Sequence, residues 1–548
     1  MFSGRIDNGD AAVAHAQWGD DCAEHLLGEF ALAHWDSRKR RLLLGRDRLG
    51  MRAVYYHQSE SLFAFGTELR DLLALPFMPR DLRDESLVDF LRRDGSSPAG
   101  TTFYQSIRLL PSAHRLILDG AKAAVHQYWK PPGLPPACSP CDRDFAYELR
   151  ELVTAAVETR LRDGKTIAVH LSGGLDSSSV ACIAARYLKR KGRRLLAICS
   201  VLPGGYDGPE SDERLFVNAV LEQENNIDPV WIEPPLDRHP FAAASRWFET
   251  LGQPVSSTVS HIEELLGEAG RAHGVDVVLS GFGGDLFVSC SGSNSALELL
   301  RRGEWRPAVS LLRVLRGVQG TSWPRLLARE IARPLLNTVR YHLDIGRKPD
   351  RDCVQPGLAS RVDARRGLRG RGWSAEMACA GPHRVMQSVA QPGRVERVLV
   401  QLTRVFDQEF DQALRFPLLD SRIVDFMLEL PADQLQRDGW QRSVMRRAMR
   451  GILPELIRTR RDKGGAFDPA LMSRIVARRQ ALTDWACDRD RQAGWRVVDR
   501  DRFLEVLSSV ERAPRCRWRP EVFEVVVLGG LMARFLEWHA RLPQRHPS

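Results

Sequence analysis

Three short runs carry the chemistry of this chain. The first is Ser172-Gly173-Gly174-Leu175-Asp176-Ser177-Ser178. Its glycines let backbone N–H groups approach an anion, its serines add hydroxyl donors, and a helix opening here contributes about half a positive charge. That combination is built to hold phosphate. It is not a Walker A loop, because no Gly-Lys-Ser/Thr follows. An aspartate inside a phosphate loop repels its ligand unless a cation accompanies it, so Asp176 is a candidate Mg²⁺ ligand. The bland alternative, a Gly-Ser turn capping a helix, does not account for the whole heptapeptide between a strand and a helix. The second run, Ser280-Gly281-Phe282-Gly283-Gly284-Asp285, again follows an apolar strand. In a doubly wound sheet such loops converge on one crevice, so Asp176 and Asp285 are expected to share a metal bound to a triphosphate. The third run is Arg460-Arg461-Asp462-Lys463-Gly464-Gly465. The chain has 71 arginines and eight lysines, and Lys463 is the only lysine of the last 200 residues. A compact, strongly hydrated point charge at this place suits a phosphate or a developing anion; on charge usage alone, an ordinary surface lysine explains it equally well.

The elements around these runs fall into two regimes. Residues 1 to about 130 alternate short apolar runs with polar turns; 30–35, 41–44, 54–57 and 62–65 read as strands and 86–90 as a short helix. The Pro-rich stretch 131–141 reads as a linker. Beyond it, strands at 166–171, 195–201, 230–232 and 275–279 alternate with helices, among them one whose apolar face is Val180, Ile183, Ala184, Tyr187 and Leu188, as a parallel α/β sheet requires. From Leu297 to about Glu396 the sequence is helical and arginine-rich, and the remainder is mainly helical. Domains are therefore expected at 1–130 and 142–548, with a basic helical insert at 297–373.

The chain has 548 residues, 43% of them hydrophobic, and a formal net charge of +10. That composition excludes disorder as the main state. The span 298–373 holds 17 basic and 7 acidic residues and so accounts for the whole excess; it can steer an acidic partner, or it can be arginine stems along a solvated helical surface. The apolar run Val525–Ala533 is too short to cross a bilayer, and the first ten residues lack a secretory pattern, so a cytoplasmic protein that engages no membrane is expected. Ten scattered cysteines read as buried thiols, and the single Cys138-x-x-Cys141 pair lacks the further ligands a zinc site needs.

The order of these motifs resembles the asparagine synthetase B family. The resemblance extends through Phe2–Asn8, Gly28–Trp35, Leu44–Gly50, Tyr55-Tyr56, Thr101–Asp119, Tyr128-Trp129, the two glycine-rich loops, Arg415–Asp420, Leu453-Pro454 and Arg461–Gly464. It implies an α/β fold in two parts: a truncated Ntn-hydrolase-like sheet domain of the class II glutamine amidotransferase type, and a PP-loop, Rossmann-like parallel-sheet domain with a helical insert and a helical C-terminal part. It further implies ATP binding by Leu171, Ser172, Gly173, Gly174, Asp176, Ser177, Ser178, Ser200 and Gly281, Mg²⁺ on Asp176 and Asp285, and stabilisation of pyrophosphate and the transition state by Lys463. Arg442 stands where the family commonly has Lys and is implied as a further phosphate contact.

The departures from the family direct the functional reading. Glutamine-dependent members begin Met-Cys-Gly with a nucleophilic cysteine, whereas the first cysteine here is Cys22; the family's Asn-Gly-Glu reads Ser3-Gly4-Arg5. A degenerate amidotransferase-like domain without its nucleophile is expected, and so another amine is required. Among branches without glutamine, β-lactam synthetases pair a Tyr in the second loop with a Glu before the RxPxxD motif, positions that read Phe282 and Ala413 here. The resemblance is closer to lasso peptide cyclases, which adenylate an Asp or Glu side chain and join it to the peptide's N-terminal amine. It implies a precursor peptide and a leader-binding peptidase as partners and no nucleic acid. An ammonia-dependent asparagine synthetase-like or other small-molecule amide synthetase is the alternative.

Overall fold

The computed structural model describes residues 1–93, 97–136, 144–206, 211–255, 260–342, 353–366, 380–461, 471–510 and 519–542. Lys463, Cys138 and Cys141 lie outside these residues, as do 343–352 and 367–373 of the insert and 137–141 of the linker.

The N-terminal part is two antiparallel sheets face to face. Strands β1 (Phe2–Ile6), β2 (Gly28–Asp36), β3 (Arg41–Arg46), β7 (His114–Asp119) and β8 (Lys122–Gln127) form one sheet in the order β1-β2-β3-β7-β8; β4 (Tyr55–Gln58), β5 (Phe63–Gly66) and β6 (Arg108–Leu109) form the other, β5-β4-β6. Successive residues of a strand point to opposite faces. Thus Ala31, Leu42 and Leu44 meet Val54 and Tyr56 between the sheets, while Phe30, Leu32 and Leu43 face Ala14, Cys22 and Ala23 under the helix Ala11–Trp18. The four strands expected from apolar runs are present, and β1, β6, β7 and β8 are added. The burial of β8 explains its weak signal: nearly all of Lys122–Gln127 is exposed at a sheet edge.

The second part is built on a five-stranded, wholly parallel sheet of β9 (Ile167–His170), β10 (Leu195–Ser200), β11 (Ile227–Ile232), β12 (Val277–Leu279) and β13 (Ala413–Arg415), in the order β11-β10-β9-β12-β13. The chain runs outward from β9 through β10 to β11, then restarts on the other side of β9 with β12. The order reverses at β9/β12, the topological switch point where crevices form at strand C-termini. Strand β13, three residues long and 134 positions after β12 begins its loop in a helical stretch, has no periodic signal of its own, yet Val277, Val278 and Leu279 pair with Ala413, Leu414 and Arg415.

The described insert is helical, as expected, at Trp305–Gln319, Trp323–Leu327, Arg333–His342 and Pro356–Arg366. The two parts share one apolar core that runs from Leu49, Met51 and Tyr55 to Leu399, Phe406 and Ile423. No described helix is long and apolar enough to cross a membrane.

Candidate active site

The phosphate-type loop occupies the turn from β9 into the helix Leu175–Arg190. Leu171 is buried and its N–H donates to Ile198 O at 3.1 Å, which ties the loop's start to β10; Ser200 ends that neighbouring strand. Ser172 and Ser177 share a 3.0 Å hydroxyl–hydroxyl hydrogen bond, and the Ser172 N–H donates to Ser177 Oγ at 3.2 Å. These bonds close the loop over the helix N-terminus. Gly174 is the N-cap, and the Ser178 N–H donates to its carbonyl at 3.0 Å. Ser178 Oγ is fully buried and finds no hydrogen-bond partner among the described residues. His170, which ends β9 just before the loop, is half-buried with its Nε2 shut off from solvent, and desolvation lowers its imidazole to about 4, so the ring is neutral.

The second loop leaves β12 on the adjacent side of the switch point. A Cβ at Gly281 would stand 2.7 Å from the Ser177 backbone nitrogen, so only glycine lets the two loops meet backbone to backbone. Gly284 lies against the Asp176 carboxylate, with a built Cβ 2.3 Å from Asp176 Cγ, and Asp285 follows it in an exposed position. Asp176 Oδ2 accepts a hydrogen bond from Ser289 Oγ at 2.8 Å. The expected convergence of Asp176 and Asp285 therefore holds at the level of the loops. Two carboxylates do not cage a metal, and no cluster of three or more acidic, His or Cys ligands exists among the described residues. Two carboxylates plus substrate phosphates is nonetheless the donor set Mg²⁺ prefers, so these residues fit the ion together with a nucleotide.

Cations close the other side. Burial first, then the charges of Arg442, Arg458 and Arg461, lower the Arg446 guanidinium to about 10, opposed by Asp176. Four arginines and the Asp176 carboxylate thus share one electrostatic neighbourhood. Burial pushes the Cys290 thiol up; Glu298 and Asp285 add to the effect and Arg442 opposes it, which sets Arg442 and Asp285 around the same sulfur. Arg442 holds a left-handed backbone, φ 57°, at the start of the helix Ser443–Ala448. Phe282 is 37% exposed and meets the buried Phe416 edge to face at 5.7 Å. Ser289 and Arg446 escape sequence reading because neither sits in one of the three runs, and Arg460, though it opens the third run, gets its role from Glu213, 247 positions away.

Charged pairs join the site to the N-terminal sheets. Arg160, 2% exposed, reaches Glu29 at 3.3 Å and Asp420 at 2.9 Å. Arg46 donates to Leu110 O at 2.6 Å, Gly50 O at 2.8 Å and Glu396 Oε2 at 3.1 Å, and Arg48 and Arg52 reach Asp425 and Asp407 at 2.7 and 2.5 Å. Burial alone would raise the Asp420 carboxyl, but hydrogen bonds from Arg422 and the charge of Arg160 hold it well below the usual carboxylate range. A cavity of about 10 Å³ in this interface is lined by Glu29, Asp47, Arg48, Arg160 and Asp420 among others.

A switch-point crevice between two glycine-rich loops, one carrying a serine-rich phosphate cradle and both carrying an aspartate, defines a nucleotide-dependent synthetase of the PP-loop type. The asparagine synthase family model matches residues 148–540 and the glutamine amidotransferase domain model residues 2–129. The chain belongs to the asparagine synthase family, whose members are ATP-dependent amide-forming ligases. Among curated proteins it is similar to asparagine synthetase [glutamine-hydrolyzing] 3 of Bacillus subtilis, 24% identical over 454 residues covering 81% of this chain and 67% of that protein. It is also similar to amidase chry2 of Gibberella zeae and amidase chyE of Penicillium rubens, 28% and 27% identical, each over 52% of this chain and 43% of the relative. The chain thus spans less than half the length of those two.

Proposed function

We propose that this protein activates a carboxylate with ATP and joins it to an amine that does not come from glutamine, and that the carboxylate is an Asp or Glu side chain of a leader-cleaved peptide closed onto its own N-terminal amine. The observation that carries the choice of amine is the state of the cysteine that the N-terminal part does hold. Cys22, the one cysteine among the described residues of the N-terminal part, is buried and its thiol is raised by that burial, the opposite of what a nucleophile needs.

In the reaction, a carboxylate oxygen attacks the α-phosphorus of ATP, the bond to pyrophosphate breaks, and an acyl-adenylate forms. The amine nitrogen then attacks the acyl carbon and AMP leaves. Leu171, Ser172, Gly173, Gly174, Ser177, Ser178, Ser200 and Gly281 hold the nucleotide, Asp176 and Asp285 would hold Mg²⁺, and Arg442 and Lys463 are the cations assigned to the phosphates. The metal supplies charge neutralisation on the departing pyrophosphate. The protein's share is positioning and electrostatics.

The peptide reading draws support from the insert, whose helix Trp305–Gln319 ends with Val318 against Gly439, next to Trp440 and the arginine cluster. A cover over an extended substrate would need such a foothold beside the arginine cluster. Phe282 and Ala413 offer no acid–base pair of the β-lactam kind. The second reading, an ammonia-dependent asparagine synthetase-like or other small-molecule amide synthetase, draws support from relatives named asparagine synthetases, although those are named as glutamine-hydrolyzing. A mass spectrum of the short peptide encoded beside this gene separates the two, after co-expression with its neighbouring peptidase and either wild type or Asp176→Ala. Loss of one water with wild type alone, with resistance to exopeptidase, supports macrolactam formation. An unchanged peptide, together with amide formed from aspartate and ammonium, replaces it with the second reading.

A further inference from the structure

The segment Arg458–Arg461 leads into the run that contains Lys463, and it is fastened from two sides. On one side stands Arg446, 8% exposed on the helix Ser443–Ala448. Its Nε donates to Gln441 O at 3.0 Å and its Nη2 to Arg460 O at 2.7 Å, and its Nη1 donates to Arg458 O. The rigid fork of a guanidinium is thereby spent on backbone carbonyls, two of them in the segment itself. Trp440 backs this arrangement, with Arg446 and Arg461 stacked on its ring at 5.5 and 4.5 Å from the centroid.

On the other side, Arg460 lies 3.7 Å over the Phe216 ring and makes a two-point ion pair with Glu213, Nη2 to Oε1 at 2.9 Å. Glu213 and Phe216 form the start of the helix Arg214–Gln223. That helix start is also the wall of the phosphate loop: Gly173 turns against it with φ +70°, and a Cβ there would stand 2.6 Å from Phe216 Cβ. One arginine side chain therefore links the 458–461 segment to the loop that cradles phosphate. Arg460 is 10% exposed and Glu213 24%, so the pair is shielded enough for its geometry to hold.

We propose that Arg446 and Arg460 are positioning residues that keep the 458–461 segment in register with the phosphate loop, so that the grip on the departing pyrophosphate depends on two arginines whose guanidinium groups are engaged by backbone carbonyls and by Glu213. The proposal rests on the reading above for the identity of the phosphate ligand. The clasp acts when charge develops on pyrophosphate, and its loss therefore appears in kcat more than in KM for ATP.

The test is a charge swap across the clasp: Arg460→Glu, Glu213→Arg and the double variant, with Arg460→Lys and Arg446→Met beside them. Two readouts are taken, calorimetric affinity for magnesium pyrophosphate and steady-state AMP release. Each single reversal is expected to weaken pyrophosphate binding and lower kcat at least tenfold with KM for ATP changed less than threefold, and the double variant to recover most of both. Arg460→Lys, which keeps the charge but loses the fork and the stacking, is expected between the two. Folded single variants that match wild type, or a folded double variant that recovers nothing, overturn the clasp. Wild type that binds magnesium pyrophosphate, with single reversals that weaken it, but releases no AMP with any carboxylate overturns the proposed function and leaves the clasp standing. Wild type that binds no pyrophosphate overturns both.

Discussion

At the scale of single residues, the site depends on one close approach and on one neutral imidazole. Gly281 permits backbone contact between the loops; Gly281→Ala is expected to push them apart by several tenths of an ångström and to cut AMP formation at least tenfold, with the melting temperature moved only a few degrees. Activity equal to wild type would separate the loop contact from catalysis. Asp176→Asn and Asp285→Asn are expected to abolish adenylation while the circular dichroism spectrum stays unchanged, because both carboxylates face the loops and neither fills the apolar core. His170 predicts a pH dependence. Its folded value is lowered to about 4 by burial, against about 6.5 for an exposed imidazole, so the unfolded chain takes up a proton that the folded one refuses. The stability this contributes is complete above pH 6.5 and is lost as pH falls through 4, by up to about 1.4 kcal/mol per unit. Chemical denaturation of wild type and His170→Gln across pH 4 to 7 checks it: the variant's curve is flatter.

At the scale of elements, the insert is rooted by a buried polar bridge. His383 sits on the helix Pro382–Ala390, its Nδ1 3.1 Å from Glu298 Oε1 at the insert's root and its Nε2 2.8 Å from Leu430 O at the end of the helix Ser421–Glu429. Removing one partner of a buried polar pair leaves the other desolvated, at about 1–3 kcal/mol. His383→Leu is therefore expected to speed hydrogen exchange across the helices Ser295–Arg301 and Trp305–Gln319 while ATP affinity is kept. Unchanged exchange there would mean that apolar packing of Leu299 and Leu312 holds the root by itself.

At the scale of the whole molecule, the two parts are expected to behave as one cooperative unit because they share a core and because buried ion pairs cross their seam. Breaking a buried ion pair from one side typically costs about 3–5 kcal/mol, since the orphaned charge stays buried. Arg160→Met strands Glu29 in this way and takes from Asp420 one of its two arginines, leaving Arg422. Its expected signature is a loss of thermal stability of that order, with a single unfolding transition splitting into two as the N-terminal sheets uncouple. One transition at the wild-type temperature would show that apolar contacts alone weld the parts together. The Leu44–Gly50 motif gains a physical meaning here: Arg46 and Asp47 are buried, and Arg46 crosses the seam to Glu396.

The sequence by itself determined the loops, the alternation of strands and helices around them, and the family, because glycine-rich turns and apolar periodicity are local patterns that adjacent residues impose on one another. Tertiary structure alone decided that β13 completes the parallel sheet, that Arg160 seals the seam, and that Arg446 and Arg460 brace the phosphate side. Each of those joins groups far apart in the chain, Arg460 to Glu213 over 247 positions and Arg160 to Asp420 over 260. Such pairings are selected by the packing of the shared core, and no local period records them.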